Sequence, residues 1–319
     1  MQIVYLCARP ALLAGTIASV RTHLSFVDRI LVVVPDGAQK EVAALGAEVV
    51  TDQEMLGKTP PDDHQRRNWA LRSALAEHAA VDEVFLMSDD DSRPLIHLDE
   101  TAFLNEGRYR RYMFGWLDEW HHQSSSFDLG QQATRQVLGL YGFPRRAYAS
   151  HMPQVIDKTM LAEVVKLMST AAGLTALCEW TSYFNVAPAR HPDRFHDPEP
   201  YVTLGWPENP AAWQPTVEPA ALVFENFFPE HYADGAVFQS IDPDDHSVEA
   251  AIEKVVRWRH YELEVQAGQR EPTIGKPPPA TAVARSLRRA RAVTLGDPLQ
   301  RERDQRAALA ALLRALRRG

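Results

Sequence analysis

Three consecutive aspartates, Asp89, Asp90 and Asp91, follow directly on the apolar run "VFLMS" at residues 84–88. Neighbouring carboxylates raise one another's pKa unless a hydrogen-bonding shell, a basic partner or a cation lies among them. A divalent metal is the first chemistry that such a triplet suggests. The plain alternative is an acidic loop with all three side chains in water.

The elements that must position the triplet are legible upstream. "IVYLC" (3–7) and "RILVVVP" (29–35) read as buried strands, and "PALLAGTIASVRTHL" (10–24) has helical spacing, with Leu12, Leu13, Ile17, Val20 and Leu24 on or near one face. "KEVAALG" (40–46) reads as a short helix stopped by glycine, and "AEVVTD" (47–52) as a third strand. After a Pro-Pro turn, "DDHQRRNWALRSALAEHA" (62–79) is a helix with acidic residues at its positive end, and "VFLMS" is the fourth strand. Such alternation predicts right-handed crossovers onto a mostly parallel sheet, whose ligands bind beyond the carboxyl ends of the strands. The triplet stands at that edge.

From about residue 104 the pattern changes to an α+β character. "YRRYMFGWLDEWHH" and "VLGLYGFPRRAY" read as strands and turns; residues 157–169 and 177–187 read as helices, the first with Asp157 as N-cap. Five of the seven tryptophans fall between 116 and 213, where core packing is expected more often than a platform for sugar rings. The His121-His122 pair lacks helix-face metal spacing and reads as structural.

The composition, 45% apolar and 24% charged, is that of a soluble globular protein. No apolar run is long enough to span a bilayer, and "MQIVYLCARP" opens on a strand pattern without a basic leader. Cys7 and Cys178 sit in apolar surroundings, as buried free thiols would. A cytoplasmic location is expected. The net charge of −8 hides an asymmetry: residues 285–319 hold ten arginines against Asp297, Glu302 and Asp304, so the body is acidic and the tail basic. An acidic body disfavours nucleic acid. After the linker "GKPPPATA", Leu309, Leu312, Leu313 and Leu316 form a stripe on a basic helix, suited to docking on its own body, on a second subunit as a homodimer, or on an anionic membrane surface.

Three stretches together resemble the GT-A glycosyltransferase fold over residues 1–240. "RRNWALRSALAEHAAVDEVFLMSDDD" is similar to the Arg-Asn helix, turn, apolar strand and Asp-x-Asp motif of that family, the triplet falls at the family's distance from the start, and "VVVPDG" resembles its second-strand acid. The resemblance implies an α/β fold: a nucleotide-sugar-binding half at 1–103, an acceptor-binding half at 104–270, and a linker with a basic helix at 271–319. It further implies a metal-dependent transferase using Mn²⁺ or Mg²⁺, a UDP- or GDP-hexose donor (mannose or glucose) and a carbohydrate or glycoside acceptor. Hard cations that bridge carboxylates to a diphosphate suit such a reaction, because they cover the charge developing on the leaving group.

Residue by residue, the resemblance implies that Asp91 binds the metal directly, Asp89 the metal or the ribose, and that Asp90 orients the sugar, unless Asp90 only caps the next turn. Arg9 would meet the nucleotide or be a surface arginine; Asp36 would accept from base or ribose or make a simple Asp-Gly turn. Lys58 and Arg67 would neutralise phosphates, with Asn68 a ligand on the nucleotide side. Glu179 would be the base for the acceptor hydroxyl or a helix-start carboxylate satisfying the dipole. His151 and Asp157 would line the acceptor cleft, and His231 would add a metal ligand. A sugar nucleotidyltransferase would carry a Gly-rich loop after the first strand, where this chain has "CARPALLAGT"; an aspartyl-nucleophile phosphatase would place Asp-x-Asp on that strand. A carbohydrate-binding protein on a non-catalytic transferase fold is the third alternative.

Overall fold

The computed structural model describes residues 1–120, 125–210 and 222–274. The Arg-rich tail with its leucine stripe, the His121-His122 pair and Trp213 lie outside the described residues. The first half runs β1 (Gln2–Leu6), α1 (Pro10–His23), β2 (Arg29–Val34), α2 (Gln39–Ala43), β3 (Glu48–Thr51), α3 (Asp52–Leu56), α4 (His64–Ala74) and β4 (Val84–Asp89). These strands are parallel neighbours in the order β4-β1-β2-β3. β1 and nearly all of β2 are buried on both faces, which is why they read as continuous apolar runs and not as alternating ones. The expected helix at 62–79 ends at Ala74, and turns carry the chain on to β4.

The second half adds β5 (Ser92–Pro94), then four two-residue strands, β6 (Leu104–Asn105), β7 (Arg108–Tyr109), β8 (Tyr112–Met113) and β9 (Gly115–Trp116). It continues through α5 (Ser126–Tyr141), β10 (Arg146–Ala147), β11 (Gln154–Asp157), α6 (Lys158–Leu174), α7 (Glu179–Arg190), β12 (Glu199–Pro200), β13 (Thr203–Leu204), β14 (Phe224–Asn226) and α8 (Val248–Gln266). β11 lies antiparallel on β4 and completes a five-stranded sheet, so the fold is α/β with a mostly parallel centre, as expected. "VLGLY" is a correction: it belongs to α5, whose capping box at Ser125 and Asp128 starts a helix that ends on left-handed Gly142. Helices α4, α5, α6 and α7 pack on one another, while β5 pairs with β14 in a small sheet beside a second apolar cluster under α8.

The tryptophans divide as core packing predicts: Trp120, Trp180, Trp206 and Trp258 are buried, whereas Trp116 is 40% exposed. Both cysteines are buried and free, and burial pushes each thiol up to about 12. No helix among the described residues is long and apolar enough to cross a membrane.

Candidate active site

Asp89 is the last residue of β4 and pairs with Leu6 at the end of β1, so the triplet meets the turn from β1 into α1. Asp90 is spent on that turn. Its carboxylate accepts from the Ala8 and Arg9 backbone N–H groups and from the Arg9 guanidinium, each at 2.8 Å, and its carbonyl accepts from Thr16 Oγ1. Asp90, expected to orient a sugar or to cap a turn, is a buried pin that fixes the start of α1. The same Arg9 guanidinium closes on Asp91 while staying 44% exposed.

The residue that sequence reasoning missed is Arg72. It sits on the apolar face of α4 next to Leu71, is 1% exposed, and forms an ion pair with Asp89. Its other amino group stands 3.3 Å from Glu179, and its guanidinium stacks 4.4 Å over the Trp180 ring. The signal was present: an arginine at a core position must carry its own counter-charges. Glu179, the first residue of α7, is buried and also accepts from Gln65 Nε2 at 2.9 Å. Burial raises its pKa and Arg72 opposes the rise. Glu179, expected as a base or as a helix-start carboxylate, stands with its two oxygens facing Arg72 and Gln65.

His151 reaches the triplet from the other half. Its backbone sits at φ 45°, its ring lies 4.3 Å from that of Trp206, and its Nδ1 is 3.7 Å from Asp91 Oδ1 and 4.0 Å from Asp89 Oδ2. A left-handed backbone in a histidine is a strained conformation that the surroundings must enforce, and such conformations gather at functional sites. Trp206 is held in turn by Gly205 at φ 80°, where a Cβ would stand 2.5 Å from the Asn226 carbonyl oxygen of β14.

Four carboxylates, Asp89, Asp90, Asp91 and Glu179, thus share two guanidiniums, Arg9 and Arg72. The imbalance shows in the titration. Burial raises Asp91, but His151 and Arg9 outweigh it and hold that carboxyl well below the usual range. Burial lowers His151, yet Asp91 and Asp89 raise it on balance. Burial first, then Asp91, raise Asp90. Among the described residues no group of three or more His, Cys, Asp or Glu side chains is already arranged to hold a metal ion. Asp91 Oδ1 and His151 Nδ1 are nevertheless buried without a hydrogen-bond partner. Those two atoms are donors of the kinds a divalent cation accepts, and Asp89 lies beside them.

The other expected residues are distributed around this centre. Asp36 is exposed in its Asp-Gly turn after β2, and Asn68 Nδ2 lies 3.2 Å from His64 Nε2 on α4. Arg67 is paired with Asp52 at 2.7 Å, bracing α3 against α4. Lys58 lines an open groove with residues of α3, α4 and α6, a groove that includes none of the triplet. Asp157 is the N-cap of α6, as expected, and accepts from the Met160 N–H and the Tyr109 hydroxyl. His231 lies in the second apolar cluster. Its ring is enclosed by Phe228, Phe238, Trp258 and Tyr261, and none of its ring contacts is with the triplet. Of the expected histidines, His151 is the one that stands beside the triplet.

No protein-family model and no curated protein matches the chain. Solved structures that align with it include glucosyl-3-phosphoglycerate synthase from Mycobacterium tuberculosis in complex with Mn²⁺, UDP-glucose and phosphoglyceric acid, at 18% identity and a TM-score of 0.30, over 50% of this chain and 57% of that one. Mouse xyloside xylosyltransferase 1 aligns at 9% identity and a TM-score of 0.38, over 71% and 98%, and an active-site mutant of LgtC at 12% and 0.41, over 81% and 95%. The chain spans 31% of another mycobacterial protein that it matches, at 20% identity.

Proposed function

We propose that this protein is a metal-dependent glycosyltransferase of the GT-A type, moving a hexose, mannose or glucose, from a UDP- or GDP-sugar to a carbohydrate or glycoside acceptor. The observation that carries the reading is the pair of buried ligand atoms, Asp91 Oδ1 and His151 Nδ1, 3.7 Å apart and without hydrogen bonds, at the carboxyl edge of a parallel sheet. Asp89, Asp91 and His151 are the residues that would hold Mn²⁺ or Mg²⁺. When bound, the cation supplies charge to the diphosphate as the glycosidic bond breaks.

The chain's own residues supply the rest. Arg72 takes a share of the Asp89 charge and, anchored by Glu179 and Trp180, fixes that carboxylate at the sheet edge. Asp90 holds the β1–α1 turn so that the half-exposed Arg9 guanidinium and the amino end of α1 face the same edge, a setting favourable to phosphate oxygens. Asp36 and Asn68 stand on the donor side, and Trp206 backs His151.

A thermal-shift panel of UDP-, GDP-, ADP- and TDP-sugars, with and without Mn²⁺, tests this on the wild type and on Asp91→Asn. A ligand that binds only the folded state raises the melting temperature by mass action. One nucleotide class is expected to shift the wild type in the presence of metal and to lose that shift in the variant. No shift from any donor would leave a non-catalytic carbohydrate-binding role in its place.

A further inference from the structure

A second cluster lies in the other half, on the segment that leads to His151. Arg146 of β10 and Arg111, just before β8, are both half-buried and both lie against the hydroxyl of Tyr148, which is 1% exposed. Arg111 donates from Nη1 to that hydroxyl at 3.3 Å and from Nε to the His196 carbonyl at 2.9 Å. Arg146 is fixed by its backbone, whose N–H donates to Asn185 Oδ1 and whose carbonyl accepts from Asn185 Nδ2. The Arg146 side chain is stacked 5.2 Å from the ring of the exposed Trp116, and its Nε is buried without a partner.

Two guanidiniums in one partly desolvated place repel each other and need a counter-charge. Among the described residues neither has a carboxylate at ion-pair distance. The acid nearest in sequence to Trp116, Asp118, is taken by Arg145 at 3.0 Å and Arg135 at 3.8 Å. Burial pulls the Arg111 pKa down, in contrast to Arg9 and Arg72, whose carboxylate partners raise theirs. Among the described residues the direct partners of the pair are neutral acceptors, the Tyr148 hydroxyl and the His196 carbonyl, and the carboxylate that acts on Arg111, Asp197, makes no ion pair with it.

We infer that Arg111, Arg146 and Tyr148, with Trp116 alongside, form a binding site for a phosphate group, separate from the carboxylate centre. A planar guanidinium fork matches two oxygens of a phosphate, and a pair of forks suits a doubly charged one better than a carboxylate. The ligand is either free phosphate or a small phosphomonoester.

The full chain is titrated with inorganic phosphate and, separately, with glycerol 1-phosphate, against potassium acetate at matched ionic strength. Melting temperature and phosphorus NMR line width are the readouts. The wild type is expected to gain melting temperature and broaden the phosphorus line, while Arg146→Met and Arg111→Met each weaken binding at least about tenfold. Without phosphate both variants should melt at or above the wild-type temperature, because each removes a like-charge repulsion. Arg146→Lys, which keeps charge without the fork, should fall between wild type and Met. Tighter binding of glycerol 1-phosphate assigns the site to a substrate's phosphate, and equal binding assigns it to the free ion; both support the inference. It is overturned if the wild type responds to phosphate no more than to acetate. A response that survives in Arg146→Met and Arg111→Met overturns it equally, because the anion would then sit near Arg9.

Discussion

At the scale of single residues, Arg72 and Glu179 matter more than their sequence suggests. Removing one partner of a buried ion pair leaves the other charge uncompensated, at a cost of about 3–5 kcal/mol. Arg72→Met should therefore lower unfolding free energy in urea by that order and disturb Asp89 together with Glu179. Glu179→Gln separates the two readings of that carboxylate. If it anchors Arg72, stability falls while transfer slows only modestly; a collapse of kcat at unchanged stability would restore it as a base. The triplet itself could be read from the chain, since three carboxylates after an apolar run demand cations. Which cations answered could not. Arg9 adjoins the triplet only through β1–β4 pairing, and Arg72 is one arginine among several on a helix until its face is known.

At the scale of elements, the parallel strands and the long helices were legible because their apolar runs and 3.6-residue stripes are local patterns. The short strands and close approaches of the second half were not, since a two-residue strand has no period and His231 could be weighed against other histidines only by position. The Gly205 loop shows what such reading misses: a left-handed residue packed against the β14 backbone and carrying Trp206 over His151. Gly205→Ala should cost about 1–3 kcal/mol, seen as a lower melting temperature, and weaken metal binding through His151. Asp157 gives a contrasting case. As the N-cap of α6 it is worth about 1–2 kcal/mol, so Asp157→Ala should reduce stability and leave acceptor KM unchanged.

At the scale of the molecule, the body holds two apolar clusters, and buried histidines tie its stability to pH. Burial alone lowers His231 to about 4, and burial followed by His246, His97 and Lys254 lowers His23 to about 4. Both rings are neutral in the folded and unfolded chain above pH 6.5. As pH falls from 6.5 towards 4 the unfolded chain takes up the proton first, so stability drops on the order of 2–3 kcal/mol for each ring. His231→Phe should flatten part of that acid limb in denaturation curves while Mn²⁺ affinity stays at the wild-type value; a lost affinity would return His231 to the metal. The cation site proposed at Asp89, Asp91 and His151 is tested most directly by an electron paramagnetic resonance titration of Mn²⁺ with and without UDP or GDP. The wild type should deplete the free Mn²⁺ signal, more strongly with one diphosphate present, whereas Asp91→Asn and His151→Ala should leave most of it free. A wild-type protein that leaves the signal untouched with every nucleotide would have no such cation site.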